Sequence, residues 1–280
     1  MKGLKWKDGK KCAVAVTVNL NGEYFWLSMF PDCKNKPKTL SLGTFGLNVG
    51  LERVLELFDK YGIKSTFFVP GAIAEKYRDK VEDIHNRGHE IANHGYAHEN
   101  FALLTKKEQE EILLRSNEVI KGITGSAPAG FRAPEGEITG ETYELLEAMG
   151  FLYDSSLMDD NIPYYLKLKG TEYNMVQLPI QWQLYDFPYF AFNYSPAFPA
   201  GQGRIAPYSN VLNNWIYEYE GYRSKGCAYI LQIDPQTIGT PGRILMLRRL
   251  LEHIIKSEDA WICTCEEMLH YYKDNYKEGC

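Results

Sequence analysis

Two histidines four residues apart are the sharpest chemical feature of this 280-residue sequence, in the stretch H-E-I-A-N-H-G-Y-A-H-E-N. At that spacing His94 and His98 share one side of a helical turn, a geometry that can chelate a divalent metal such as zinc. Caps and hydrogen-bonded core histidines use the same spacing, so the pair alone leaves both readings open. Upstream, His89 reads as structural at a strand start and His85 as solvent-facing. Arg132, in F-R-A-P-E-G-E, stands two residues before Pro134 and can orient a carboxylate through a two-pronged salt bridge. Glu135 and Glu137 follow it and read first as surface salt-bridge partners. Asp154 opens D-S-S, and Asp234 opens D-P-Q. Asp234 is either an acid/base group or a turn-former before Pro235. A carboxyl group enclosed by aromatic side chains has its pKa raised toward the range useful for acid–base work. Asn19, Asn21 and Glu23 alternate in sequence, so a continuing strand would turn all three to one face. Glu23 would then enter a site as a carboxylate; otherwise it sits in a solvated loop.

The elements that must position these groups alternate along the chain. Cys12–Val18, Lys64–Val69, His89–Ala92, Ala129–Arg132, Phe151–Asp154, Val176–Ile180, Cys227–Ile233 and Ala260–Thr264 are short apolar strand candidates,. Between them fall helical patterns. One contains Leu47, Leu51, Val54, Leu55 and Phe58 and closes at Gly62,. Others span Gly71–Arg87, Thr105–Lys121 with Glu108 completing a capping box, Thr139–Met149, Tyr208–Arg223, Pro241–Ile255 and Glu266–Tyr272. Such alternation predicts an α/β fold of about seven parallel strands with crossover helices. No glycine-rich phosphate turn follows the first strand, which favours a barrel over an open sheet. A barrel carries its chemistry at the carboxyl ends of its strands, and there the polar residues above collect. Two regions break the rhythm. Leu27–Thr44 reads as a long polar loop. Tyr185–Pro207, dense in aromatics, proline and glycine, reads as a packed Ω-like loop or oligomer contact, or as an apolar lid.

The motifs H-G-Y-A-H-E-N, F-R-A-P-E-G, Y-D-S-S, L-P-I-Q-W and D-P-Q-T-I-G-T-P-G-R, in that order, resemble the NodB-type polysaccharide deacetylases. The resemblance runs from Cys12 to Thr264. It looks closest to a cytoplasmic branch of peptidoglycan-deacetylase-like proteins and metal-independent allantoinases. It implies a single domain over residues 1–280, a deformed (β/α) barrel, and hydrolysis of non-peptide amide C–N bonds. In metal-dependent members of that family an Asp and two His hold a divalent ion, usually zinc. A neighbouring Asp is the general base and a late His the general acid. Carried over, the resemblance puts His94 and His98 at metal-ligand positions. It puts Arg132 and Asp154 in the supporting set, and Pro134 and Trp182 among substrate-binding residues.

The departures from that pattern are specific. The two aspartates of the family's first motif fall on Asn19 and Asn21, and the late His falls on Asp234. An amide oxygen is a weak neutral donor to zinc, and an amide accepts no proton near neutral pH. Glu23 and Asp234 are the carboxylates that could take over the chemistry. Asn19 and Asn21 carry amide donors that could polarise a carbonyl instead. Three functions follow. One is an amidohydrolase of a small cyclic or N-acyl substrate with an altered or absent metal site. Another is a metal-dependent N-acetyl-sugar deacetylase. The third is a ligand-binding homologue that has lost the chemistry.

Composition sets the outer bounds. Lys and Arg number 31 against 36 Asp and Glu, a net charge of −5, with 45% hydrophobic residues. Those are ordinary globular values, and the acidic balance argues against a nucleic-acid partner. None of the six cysteines forms a C-x-x-C pair, which fits reduced thiols, with Cys280 terminal and exposed. No stretch approaches the roughly 18–20 apolar residues of a membrane span. The basic start is followed by too short an apolar run for a signal peptide. A soluble, cytoplasmic enzyme with no membrane partner is expected, and by analogy with its relatives a homo-oligomer. A cytoplasmic protein does not meet mature cell wall, which favours a small-molecule over a sugar-polymer amide substrate.

Overall fold

The computed structural model describes residues 3–134, 137–201 and 205–276; Glu135 and Cys280 lie outside the described residues. Among the described residues nine strands follow in chain order. They are β1 (Cys12–Asn19), β2 (Thr66–Val69), β3 (Glu90–Asn93), β4 (Gly130–Phe131), β5 (Tyr153–Asp154), β6 (Tyr164–Leu168), β7 (Thr171–Gln177), β8 (Ala228–Ile233) and β9 (Ala260–Ile262). The chain divides into two compact units. The first comprises Met1–Ile63 and Gln181–Cys263, the second Lys64–Ile180 and Thr264–Cys280.

In the first unit β1 is paired in parallel with both β8 and β9. Every residue of β1 and β8 is buried, as the unbroken apolar runs require of strands covered on both faces. The helix Leu51–Tyr61 buries Leu51, Val54, Leu55, Leu57 and Phe58 and ends at Gly62, whose φ of 65° is the left-handed cap,. Tyr208–Lys225 and Pro241–Lys256 are the other long helices of this unit.

The stretch 27–44 is a finding against the sequence reading. It is mostly helical, with Tyr24–Met29, a 3₁₀ turn at Pro31–Asn35 and Pro37–Phe45. Phe25 and Trp26, with Leu40 and Leu42, pack into an aromatic cluster with Tyr185, Phe187 and Phe198. Burial of these few apolar side chains outweighs a polar local composition that suggested a loop.

In the second unit the strand order is β6-β7-β5-β4-β3-β2. All neighbours are parallel except β6 and β7, an antiparallel hairpin turning at Lys169–Gly170. The sequence reading missed β6. Its burial alternates weakly, so it carries little apolar periodicity to detect. The helix Lys106–Thr124 opens with the expected capping box between Thr105 and Glu108. Gly71–Arg87 is broken at Tyr77 into two helices. Cys12, Cys33 and Cys265 are free thiols, and no described helix is long and apolar enough to cross a membrane.

The turn after β1 depends on one close approach. A Cβ at Gly43 would lie 2.3 Å from the Glu23 backbone nitrogen and 2.3 Å from the Gly22 carbonyl carbon. Backbone cannot yield that distance cheaply. Gly43→Ala is therefore expected to destabilise the protein by about 3 kcal/mol in denaturant titration. A cost below about 0.5 kcal/mol would show that this packing is loose.

Candidate functional site

In the first unit, the register of β1 on β8 pairs Val18 with Ile233, so the next residues, Asn19 and Asp234, follow side by side at the carboxyl ends of two parallel strands. The chain does not continue as a strand to Glu23. It turns at Gly22, with φ of 52°, and enters a helix at Tyr24. Strand alternation thus does not set the placement of Asn21 and Glu23; a turn does, with the Tyr24 N–H donating to the Asn21 carbonyl at 3.1 Å. Asn19, Asn21 and Glu23 are all buried, which removes the solvated-loop alternative for Glu23.

Asp234 is buried and caps the short helix Pro235–Ile238. One of its oxygens accepts the Gln236 backbone N–H at 2.9 Å, the other the Gln236 side-chain amide at 3.0 Å. Gln236 in turn accepts from the Trp26 indole N–H at 2.8 Å. Burial pushes the Asp234 carboxyl up to about 7, partly offset by the Gln236 bonds and by the neighbouring Asn21 amide. Neither Asn21 amide atom makes a hydrogen bond of normal geometry among the described residues, so its effect on Asp234 is that of a close dipole.

A second carboxyl, absent from the sequence-based candidates, stands against Asp234. Tyr185 forms an isolated parallel bridge with Gln232, which carries Asp186 to the end of β8. Asp186 accepts the Asp234 backbone N–H at 3.0 Å, and its other oxygen is hydrogen-bonded to the Thr237 hydroxyl. Burial drives its carboxyl well above the usual range; the Thr237 bond opposes this, and the Asp234 charge adds to it. The clue in the sequence is a single carboxylate inside the aromatic run Y-D-F-P-Y-F, where solvation is scarce. Trp182 lies on the same segment but is 55% exposed, stacked on Tyr185 with centroids 6.5 Å apart.

The second unit gathers the remaining candidates at its own strand ends. Asn93 of β3 pairs with Phe131 of β4, and Phe131 with Asp154 of β5. His94, Arg132 and Ser155 therefore follow on adjacent strands. His94 Nδ1 meets the Arg132 carbonyl at 2.7 Å. A carbonyl only accepts, so the His94 proton sits on Nδ1 and the Nε2 lone pair is left for other work.

His94 and His98 do not share a helical turn. They flank a loop in which Gly95 and His98 both take positive φ, 70° and 66°. The Asn93 side chain accepts the Gly95 N–H at 2.8 Å, and the Glu99 carboxylate accepts the Tyr96 and Ala97 N–H groups at 3.0 and 2.8 Å. This loop still brings the two rings to 5.6 Å, edge to face. Pro134 packs on the loop, since a Cβ at Gly95 would meet its ring at 3.1 Å. Burial pushes His98 down to about 4 and, with the His98 charge as second cause, holds His94 well below the usual range. Both are neutral near pH 7.

Arg132 is buried and lies 3.9 Å over the Phe68 ring. It donates to the Ser155 carbonyl at 3.0 Å and to the Ser155 hydroxyl at 2.9 Å. Asp154 is anchored by the Ser156 hydroxyl at 2.6 Å and the Ser156 N–H at 3.2 Å, and burial lifts its carboxyl to about 6. Glu137 is exposed, in keeping with the surface reading.

Comparison with known proteins agrees with the sequence motifs. The polysaccharide deacetylase family pattern matches residues 35–153. A peptidoglycan deacetylase of Helicobacter pylori is 33% identical over 95% of this chain and 98% of its own length. A crystal structure from Mycobacterium smegmatis, assigned as a polysaccharide deacetylase, is 32% identical, covers 99% of this chain and 96% of its own, and superposes with a TM-score of 0.91. An allantoinase structure shares the fold at 21% identity and a TM-score of 0.79, over 97% of this chain and 93% of its own. The sequence reading of a deformed (β/α) barrel of about seven parallel strands agrees in fold class with these structures, the sheet being mostly parallel with surrounding helices and differing in its antiparallel β6–β7 hairpin.

The raised Asp234 carboxyl has a thermodynamic consequence. A group whose native pKa exceeds its unfolded value of 3.8 stabilises the fold fully below that pH and loses its contribution as pH rises through about 7,. Subtracting the wild-type curve from that of Asp234→Asn cancels the opposing histidine contributions. The unfolding free energy of the variant relative to wild type is expected to rise by on the order of 1 kcal/mol per pH unit from pH 4 to 7, and then to level off. A difference that is flat above pH 5 would mean an ordinary carboxyl.

Proposed function

The chain belongs to the polysaccharide deacetylase family, and from that premise we propose that it hydrolyses a non-peptide amide C–N bond in a small cyclic or N-acyl substrate, with Asp234 as the acid/base group. The observation that carries this reading is the buried Asp234 carboxyl, held near neutrality where the family keeps its acid and flanked by Asn19 and Asn21 at the strand ends. A carboxyl with a pKa near the working pH is best placed to both take and return a proton. Asp234 removes a proton from water as the oxygen adds to the amide carbon. The C–N bond then breaks, and Asp234 returns the proton to the leaving nitrogen. The Asn19 and Asn21 amides supply N–H donors to the carbonyl oxygen as it gains charge. Asp186, its carboxyl driven well above the usual range by burial, is a poor place for a second negative charge beside Asp234.

The family's metal is tested by the donors present. The anionic ligand position holds Asn21, and among the described residues no three His, Cys, Asp or Glu side chains are grouped to hold an ion. Two neutral imidazoles are half of a tetrahedral set, so no step is routed through a metal. A specific observation supports a second reading, a metal-dependent N-acetyl-sugar deacetylase. The Arg132 carbonyl fixes His94 with Nε2 unprotonated, the way ligating histidines are held,. The Helicobacter pylori relative, named for peptidoglycan, favours a sugar amide. The allantoinase neighbour, a likeness of fold, suggests a ring amide as a candidate to assay.

The test is turnover of cyclic ureides, N-acyl amino compounds and N-acetylglucosamine oligomers, with and without chelator. Activity on a small amide that survives chelation and falls by about 10²–10⁴ in Asp234→Ala is expected. Activity confined to the sugar oligomers and abolished by chelator would favour the second reading. Metal content separates the two independently. Protein purified without chelators is expected to carry well under one equivalent of zinc, unchanged in a His94→Ala/His98→Ala double variant. One equivalent in the wild type that is lost in the variant would contradict the metal-free mechanism.

A further inference from the structure

The first unit holds a cavity of about 380 Å³ that shares Gln236 and Thr237 with the surroundings of Asp234 and Asp186 and is walled by Trp26, Phe45, Phe187 and Phe190. Phe192 and Ile205 also line it and are 41% and 51% exposed. At its base is Arg243, only 7% exposed, in the first turn of the 16-residue helix Pro241–Lys256. The guanidinium donates through one terminal nitrogen to the Thr237 carbonyl at 2.8 Å and rests 4.7 Å over the Phe190 ring. Its Nε makes no hydrogen bond among the described residues, and neither does the buried Thr240 hydroxyl. Thr240 is the N-cap of that helix, yet its side chain does not cap it.

The other polar groups on the wall are already engaged. The Trp26 N–H is given to Gln236, and the backbone N–H and one side-chain N–H of Gln236 go to Asp234. The Thr237 hydroxyl is held between Asp186 and the Asp234 carbonyl. Arg243 and Thr240 thus both line the cavity at a helix N-terminus beside its aromatic wall, and the guanidinium Nε and the Thr240 hydroxyl, both covered, meet no acceptor among the described residues. A guanidinium stays charged at ordinary pH. Burying it with an unpaired donor is unfavourable unless an acceptor arrives. The neighbouring carboxyl, Asp186, has both oxygens committed elsewhere.

We propose that this cavity binds a small monocarboxylate with an aromatic or branched apolar body, its carboxylate on Arg243 and Thr240 and its body among Trp26, Phe187 and Phe190. A carboxylate is the acceptor that matches a guanidinium with unpaired N–H groups and a neighbouring hydroxyl,. The apolar body matches the walls and the mouth, as in ligand pockets that pair a few placed polar groups with a mostly apolar lining. The site does not depend on the hydrolytic reading above, since none of its open donors takes part in that chemistry.

The experiment is calorimetric titration of the whole protein with 3-phenylpropionate and with its uncharged counterpart 3-phenylpropanol. Charge-assisted hydrogen bonds of this kind are worth about ten- to a hundredfold in affinity. The acid is expected to bind at least about tenfold more tightly than the alcohol. Arg243→Met is expected to abolish that preference, and Thr240→Val to reduce it while leaving the fold intact by circular dichroism. Equal affinity for acid and alcohol in the wild type would overturn the assignment, with no variant needed. So would absence of acid binding up to about 10 mM, or an acid preference that survives in folded Arg243→Met.

Discussion

Asp186 and Asp234 are buried together at the end of one strand, and the surrounding architecture is arranged to make that tolerable. Each has its oxygens met by N–H or O–H groups from the turn that follows β8. Even so, burial costs more than these bonds return, and both carboxyls are driven upward. The outcome is a pair that cannot ionise together cheaply, with Asp234 lifted to about 7 and Asp186 driven well above the usual range,. Gln236 is the hinge of the arrangement. It holds Asp234 with two donors and Trp26 with its acceptor, so the carboxyl pair and the aromatic wall are ordered by one side chain.

Parallel pairing does the rest of the positioning. In each unit several of the residues with chemical capacity directly follow the last paired residue of a strand. Asn19 and Asp234 leave β1 and β8 in register. His94, Arg132 and Ser155 leave β3, β4 and β5 in register. A parallel sheet places such residues about 4.8 Å apart, which is why widely separated sequence motifs become neighbours within a unit. On the proposed reading, Asn19 and Asn21 stand where the family keeps acids, and they offer hydrogen-bond donors in place of anionic ligands beside a carboxyl that burial makes only weakly acidic.

Much of this was legible in the sequence, and the failures have definite causes. The buried strands and the helix caps were readable because apolar runs and capping boxes are local signals; Thr105 with Glu108 and Gly62 behaved as expected. The family was readable from the order of its motifs. The geometry of His94 and His98 was read wrongly, because four-residue spacing suggests a helix while Asn93, Gly95 and Glu99 bend the chain into a loop. Glu23 was brought inward by the turn at Gly22, where strand alternation had been the expected cause. Helices within 27–44 depend on a distant aromatic cluster, which local composition does not reveal. Asp186 was overlooked because its value comes from a single bridge to β8 formed in the fold.

The ionisation of Asp234 itself is the most direct measurement, followed by carbon-13 NMR of aspartate-labelled protein, with Asp234→Asn used to assign the resonance. A midpoint near 7 is expected, with the Asp186 carboxyl also titrating well above the usual carboxylate range. A midpoint near the ordinary 3.8, with both carboxyls ionised at neutrality, would contradict the assignment of Asp234 as the group that carries the proton.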